Sequence, residues 1–445
     1  MSALLLFLEG FIGLTYQSMF FRQLNPEVGG SSPVIAVILG AFLGFMSLGY
    51  FTGGIKRKNP MRALAYNLVF VGVVAAIGLS STFIALFFSN LAELGFSRML
   101  SLTIYSLIFT GSIAFIMGQS LPLIMQHKTY GDTASKKGGN ALLLSTLGST
   151  LGATIPAIYI TPVIGATATV FVAVALSFII GIVLIKNLKI TLAITPFVIF
   201  SSFILFLPYL NNNFTSTAFM DIYLIKEPSG EKKMFANGLV MSSIDENGDN
   251  TISYIDEFQR AIKRQKIHDK DIVVLGAGAF MAHHGDENNN SYTYVDIDEN
   301  LLSWAEDNFG TEIENINFVV DDARNYMNSA SDNSVDVVLL DVYGSRYSLP
   351  EHLLTKEFFD VLKRKIKHGG VFMFNAIYDP QFKDELSRTL HATVLNTFPF
   401  CQTTQVTDDI NVANIHYTCF VRKNDKNDIY VDDTRDISNN LWGIQ

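Results

Sequence analysis

The feature that most constrains this chain is a change of character at Leu210. Before it lie about seven apolar runs, near Ala3 to Phe21, Val34 to Thr52, Ala63 to Phe88, Leu100 to Ile124, Ala141 to Ile160, Ala166 to Ile185 and Thr191 to Leu210. Each approaches the roughly 20 residues that a helix needs to cross a hydrocarbon core. Of the 445 residues, those up to Leu210 include 11 Lys+Arg and 4 Asp+Glu, a balance of +7; the rest carry 21 and 37, a balance of −16. A wholly soluble enzyme is excluded by the first half. A nucleic-acid partner is excluded by the acidic second half, which lacks the basic face such a partner requires and instead suits cationic ligands.

The first run is not a cleavable signal, because Glu9 interrupts it, no basic segment precedes it and six further runs follow. Basic residues fall in alternate loops: Lys56, Arg57, Lys58 and Arg62 after the second run, Lys128, Lys136 and Lys137 after the fourth, Lys186 and Lys189 after the sixth. Only Arg22 and Arg98 lie in the others, so the positive-inside rule places the N-terminus and the basic loops in the cytoplasm. Seven full spans would then put the acidic half outside. The chemistry read below needs a cytosolic cosubstrate, so the expectation is a cytoplasmic catalytic domain, with the last run broken short at Pro196 or the count off by one. Polar groups at membrane depth are Glu9, Gln17, Gln119 beside Pro122, and Ser145, Thr146, Ser149 and Thr150. Glu9 reads first as a buried carboxyl bonded to a neighbouring helix and second as part of an ion or substrate pathway. Gly148, Gly152 and Ala153 read as a helix-packing surface.

After the linker Asn211-Asn212-Asn213, runs at Asp221 to Lys226 and Lys233 to Ser243 flank the turn Pro228-Ser229-Gly230, with a second turn signal at Asn237-Gly238, and predict a small β-hairpin domain. From Lys270 the pattern alternates strand and helix. Strands are expected at Asp271 to Leu275, Tyr292 to Ile297, Asn317 to Val320, Val335 to Asp341, Gly370 to Asn375 and His416 to Arg422, with helices such as Glu299 to Asn308 and Thr355 to Ile366 between them. This predicts a doubly wound, mostly parallel, Rossmann-like sheet. The expected division is 1–210 membrane, 211–260 hairpin and 261–445 catalytic. Cys401 and Cys419 are the only cysteines, too few for a disulfide framework or a Cys-rich zinc site. The adjacent His283 and His284 do not face one ion, and no metal is expected. The stretch around Asp432-Asp433 reads as a solvated terminus.

Ligands of such sheets bind at the carboxyl ends of the strands. There the chain places Gly276-Ala277-Gly278, where a ligand can approach the backbone closely; then Asp296 with Ile297, about 20 residues on, positioned to accept ribose hydroxyls; then Asp322 with Ala323; and then Asp341 followed by Val342 and Tyr343. Together these point to an adenosine-containing ligand. The third glycine of the dinucleotide fingerprint is absent, its place taken by Met281-Ala282, which favours an S-adenosyl sulfonium over NAD.

With those residues in place, the span from about Asp221 to Lys423 resembles the spermidine synthase (polyamine aminopropyltransferase) family, and the whole chain resembles its bacterial members fused to a membrane domain. The resemblance implies decarboxylated S-adenosylmethionine as cosubstrate, with no permanently bound cofactor, putrescine or a similar diamine as acceptor, a bacterial inner-membrane location and a homodimer through the hairpin. It also implies a Gly-rich loop at Gly276, Ala277 and Gly278, a ribose acid at Asp296, an adenine contact at Asp322, a catalytic acid at Asp341, and the family tyrosine at Tyr254, with Tyr343 beside Asp341. Leu349 to Thr355 is similar to the segment that follows the catalytic acid in the membrane-fused branch. Three departures stand out: Ala279 replaces the acid that holds the aminopropyl amine, Gly344 replaces a second acid after Asp341, and the Pro-Ser-Gly element gives way to Asn411 to Ile415. Asp256, Glu257, Glu351 and His352 are the candidates to contact the amine instead. The same nucleotide-binding acids would serve an S-adenosylmethionine methyltransferase, and a polyamine sensor or transporter with a binding-only soluble domain is the reading from another class.

Overall fold

The apolar runs are helices in the computed structural model, which describes residues 2–127, 133–210, 213–237, 239–310, 316–343, 350–407 and 412–422. Lys128, Asn211, Asn212, Gly238, Gly344, Asn411, Asp432 and Asp433, named above, lie outside the described residues. The chain divides into two compact units, the first built mainly of residues 1–225 and the second of residues 242–343 and 350–445.

Among the described residues, seven helices of the first unit are long and apolar enough to cross a membrane: Ser2–Val28, Ser32–Gly53, Pro60–Gly78, Arg98–His127, Ser135–Ile164, Ala166–Ile185 and Leu188–Leu210. The third run divides where the sequence reading ran it through to Phe88. It stops at Gly78, and the Ser80 side chain accepts a bond from the Phe83 amide to start a separate helix, Ser81–Glu93, as a serine N-cap does. The seventh helix is not broken at Pro196. It runs unbroken from Leu188 to Phe206, the kind of proline that membrane helices tolerate when the freed carbonyl finds another partner.

Among these helices the first packs along the fifth span, the second along the fourth and the third along the sixth. Small residues set the distance. A Cβ on Gly148 would stand 2.0 Å from the Phe7 carbonyl oxygen, one on Gly152 2.1 Å from that of Phe11, and one on Gly10 2.1 Å from that of Ser145. The backbones therefore touch, as small-residue interfaces in lipid do. Beside that seam Glu9 accepts a 2.7 Å bond from the Ser145 hydroxyl. One seam over, Gln119 accepts from Asn67 Nδ2 at 3.1 Å and donates to the Thr52 hydroxyl at 3.3 Å, so the polar ends of these three residues meet across helices.

A four-stranded sheet in the order β1-β2-β3-β4 comes next in the chain, with β1 Thr215–Ser216, β2 Asp221–Lys226, β3 Lys232–Ala236 and β4 Leu239–Ile244. The main sheet has seven strands: β5 Asp271–Leu275, β6 Ser291–Asp296, β7 Ile316–Val320, β8 Val335–Leu340, β9 Ile366–Tyr378, β10 Cys401–Gln405 and β11 Ala413–Phe420. Their order is β10-β11-β9-β8-β5-β6-β7. Pairings from β7 across to β9 are parallel, and β11 and β10 are antiparallel, so the Rossmann-like expectation holds.

The expected run Lys233 to Ser243 divides into β3 and β4, and strands of the main sheet also differ from expectation. β9 is longer at both ends than Gly370 to Asn375, and β11 begins at Ala413 because its pairing with β9 carries it back to Tyr378. Strand β10 was not expected, since Gln402, Thr403, Thr404 and Gln405 give no apolar alternation. It pairs with β11 at the edge, where Cys401 sits directly opposite Cys419, and the two form a disulfide. The two cysteines thus make a single cross-link. One face of the sheet buries Phe359, Phe372, Phe374, Phe398 and Tyr417.

Because the Gly148 seam is backbone on backbone, Gly148→Val is expected to lower the thermal unfolding midpoint of the detergent-solubilised protein, by an overpacking cost of about 1–3 kcal/mol. An unchanged midpoint would show that this seam opens at no cost.

Candidate active site

The site begins at the turn after β5. Gly276 has φ +96°, and a Cβ there would lie 2.1 Å from the Asp341 carbonyl oxygen, so only glycine fits. Around it the backbone ties three strand ends together: the Gly276 amide donates to the Val295 carbonyl at 2.9 Å, the Asp341 amide to the Leu275 carbonyl at 2.9 Å, and the Asp321 amide to the Asp296 carbonyl at 3.0 Å. The acids predicted from the sequence are thereby brought to one edge of the sheet.

Asp296 ends β6. Its Oδ2 accepts from the Ala277 amide at 2.9 Å and its Oδ1 from the Asp298 amide at 3.1 Å. Burial raises its pKa; the amide bonds oppose that, and the neighbouring Asp298 charge adds to it. Next along the chain Ile297 is 45% exposed. It is an isoleucine open to water at a strand end, directly after the Asp296 carboxylate.

Asp322 caps the helix Ala323–Ser329, its Oδ1 accepting from the Arg324 and Asn325 amides at 2.9 and 3.0 Å. The other oxygen lies 2.9 Å from His352 Nε2. Partial burial pushes its pKa up, but the bond from His352 and the two amides outweigh this and hold it below the usual carboxylate range. The structure thus puts His352 on Asp322, and Ala323 is buried behind them.

Asp341 follows β8, with part of its surface still open. Oδ1 accepts from Asn375 Nδ2 at 2.9 Å, and the Tyr254 phenol, brought by the helix Ser253–Arg264, bonds to the same carboxyl. Desolvation outweighs both bonds and raises its pKa to about 6. Burial, joined by the Asp341 charge, in turn holds the Tyr254 phenol well above its ordinary value, so it acts as a donor. Tyr343, expected beside Asp341 among the catalytic residues, is engaged by β9 through its hydroxyl. Its hydroxyl donates to the Asn375 carbonyl at 2.9 Å and accepts from the Ile377 amide at 2.8 Å, which commits it to holding β9.

Asn375 and Asn414 were missed by the sequence reading. Asn414 Nδ2 donates to Asn375 Oδ1 at 2.9 Å, and Asn375 passes the orientation on to Asp341. The available signal was a lone amide inside the apolar run Phe372-Met373-Phe374-Asn375-Ala376.

Among the candidates for an amine contact, Glu257 is already paired with two arginines. It is buried, accepting from Arg260 Nε at 2.9 Å and from an Arg264 terminal nitrogen at 2.6 Å, a pairing that anchors the helix bearing Tyr254. Asp256 is exposed and accepts from Asn250 Nδ2 at 2.6 Å. Glu351 is exposed at the start of the short turn Glu351–Leu353 that carries His352. Ala279 is fully buried, and its amide donates to the Ser242 hydroxyl at 3.0 Å. No cluster of three or more His, Cys, Asp or Glu side chains suited to a metal occurs among the described residues.

Residues 270–430 match the spermine/spermidine synthase domain family. No curated protein matches the chain. Solved structures similar to it include a probable spermidine synthase from Corynebacterium glutamicum ATCC 13032, at 19% identity over 46% of this chain and 79% of that one, with a TM-score of 0.40. The spermidine synthase from Thermotoga maritima is similar at 15% identity over 46% and 71%, with a TM-score of 0.39. A Haemonchus contortus phosphoethanolamine N-methyltransferase is similar at 15% identity over 38% and 53%, with a TM-score of 0.30.

Two measurements follow from the Asp341 network. In detergent-solubilised protein labelled at the aspartate carboxyl carbons, the resonance lost in Asp341→Asn should titrate near pH 6. Asn375→Ala removes a bond that favours the charged form, and should move that midpoint upward; a downward or absent shift would remove Asn375 from the network.

Proposed function

We propose that this chain, which carries a spermine/spermidine synthase domain over residues 270–430, is a membrane-bound aminopropyltransferase. In this reading it moves the aminopropyl group of decarboxylated S-adenosylmethionine to putrescine, giving spermidine and methylthioadenosine. Residues 1–210 hold it in the bilayer, residues 211–260 supply the hairpin, and residues 261–445 do the chemistry. The observation that carries the reading is Asp341: a desolvated carboxylate with a pKa raised to about 6, beside the Gly276 turn, oriented by Asn375 and Tyr254.

The chemistry follows from those residues. Asp296 takes the ribose hydroxyls, Ile297 and the Gly276-Ala277-Gly278 turn cover the adenosine, and Asp322, with His352 upon it, meets the base. The acceptor amine arrives protonated and must lose a proton before its lone pair can attack the carbon bonded to the sulfonium. Asp341 takes that proton, the new C–N bond forms as the C–S bond breaks, and the sulfur leaves with the bond pair as a neutral thioether. A carboxylate whose pKa lies just below neutrality is ionised at working pH and basic enough to accept a proton. The same negative charge holds the cationic substrate before transfer.

A second reading, methyl transfer from S-adenosylmethionine, is favoured by one feature. At Ala279 the family's amine-holding acid is absent and the residue is buried, so selection for the decarboxylated cosubstrate has one carboxylate fewer. Incubation of purified protein with either cosubstrate and with putrescine, cadaverine or spermidine separates the two by product mass. An amine heavier by an aminopropyl unit together with methylthioadenosine supports the proposal, and an amine heavier by a methyl group replaces it.

Asp341→Asn is expected to lower kcat by about 10²- to 10⁴-fold, the usual worth of a positioned base, while methylthioadenosine binding stays nearly unchanged. For the native chain kcat/KM should fall as the pH drops through about 6, because protonated Asp341 cannot accept a proton. A profile flat across that range would remove Asp341 as the base.

A further inference from the structure

We infer that the catalytic half emerges on the non-cytoplasmic side of the membrane, where its last two strands are closed by a disulfide. The argument needs only the final span and the contacts of the segment that leaves it. Leu188–Leu210 starts beside Lys186 and Lys189, with Asn187 capping it through the Lys189 and Ile190 amides. It is continuous through Pro196 and 23 residues long, about 34 Å at the helical rise, enough for a hydrocarbon core. Leu192, Phe197, Ile199, Phe200 and Phe203 are exposed along it, the surface expected of a helix that faces lipid.

The segment after it returns to the ends of the bundle remote from those lysines. Arg22, near the end of the first helix, donates through Nε to the Ala218 carbonyl at 2.9 Å. Gly165, between the fifth and sixth spans, lies so close that a Cβ there would be 2.1 Å from the Ser216 carbonyl oxygen, and the Thr167 amide donates to the Ser216 hydroxyl at 3.3 Å. Among the described residues before Leu210, the Lys and Arg at this end of the bundle are Arg22 and Arg98, and Arg98 is paired to Glu27 at 2.8 Å. The others belong to the opposite loops, and it is the end rich in Lys and Arg that stays in the cytoplasm. Chain geometry and charge bias therefore agree that the soluble half starts on the outer side.

The disulfide is an independent observation. Both cysteines of the chain face each other across the β10–β11 pair, and such bonds form and persist in oxidising compartments while cytosolic thiols are kept reduced. The expectation of a cytoplasmic catalytic domain rested on the supply of cosubstrate. In the present assignment both substrates must reach the site from the outer side, so a carrier or an outer-side source has to deliver the sulfonium.

Sidedness is tested without reference to activity. Glu287→Cys lies on an exposed loop of the soluble half and Lys58→Cys on an exposed basic loop; each is made in the full chain, and right-side-out membrane vesicles are treated with a membrane-impermeant maleimide. The inference expects labelling at position 287 and protection at position 58 until the vesicles are opened. Protection at 287 with labelling at 58 overturns it. In the unmodified chain, acid-trapped directly from cells and alkylated, Cys401 and Cys419 should take up alkylating agent only after reduction, and free thiols in that experiment overturn the disulfide half of the inference.

Discussion

Everything at the candidate site depends on one close approach, that of the Gly276 backbone to the Asp341 carbonyl. Because no side chain fits between them, the turn after β5 and the end of β8 are held at van der Waals distance, and the amide bonds from Gly276 to Val295 and from Asp341 to Leu275 fix the height of both. Asp296, one strand to the side, then needs only the Ala277 amide to point its carboxylate along the same edge. Three acids that are far apart in sequence share a frame because strand ends in a parallel sheet terminate together.

Around this frame the protein spends its polar side chains on orientation. Asn414 orients Asn375, Asn375 orients Asp341, and Tyr343 holds the backbone of the strand that carries Asn375. On the other side, Glu257 with Arg260 and Arg264 fixes the helix that delivers Tyr254. Carboxylates in two different settings result. Among the described residues Asp341 is bonded by Asn375 and Tyr254, neither of them cationic, and it is shifted by desolvation; Glu257 is neutralised by two guanidinium groups and serves as an anchor. That contrast separates a carboxyl whose pKa is raised by burial from one that holds a helix in place.

The strand-end acids were legible because short apolar runs each stop at a carboxylate, a pattern that needs no knowledge of neighbours. Asn375 and Asn414 were not, since their meaning comes from the antiparallel pairing of β9 with β11, which sets residues 39 apart in the chain side by side. Tyr343 was half legible: its closeness to Asp341 follows from spacing, but its partners on β9 do not. In the apolar half the spans were readable from length alone. The stop at Gly78 was signalled by the Ser80 cap, and the weight placed on Pro196 was too great, since a proline within a membrane helix need not end it. The role of Glu257 was present as basic residues at Arg260 and Arg264, one and two turns along the same helix.

Strand β10 has a further consequence for how the molecule behaves in a crowded solution. It is the edge of the main sheet, five residues long and mostly Gln and Thr, so the rim it presents to other chains is short and polar, as sheet edges that avoid self-association are. Beneath it lies β11, eight residues carrying Ile415, Tyr417 and Cys419, a longer and more apolar ribbon that would become the new rim if β10 came away. The covalent link at Cys401 and Cys419 ties one end of the polar strand to the apolar one. It keeps a sticky inner strand from being unmasked when the edge frays.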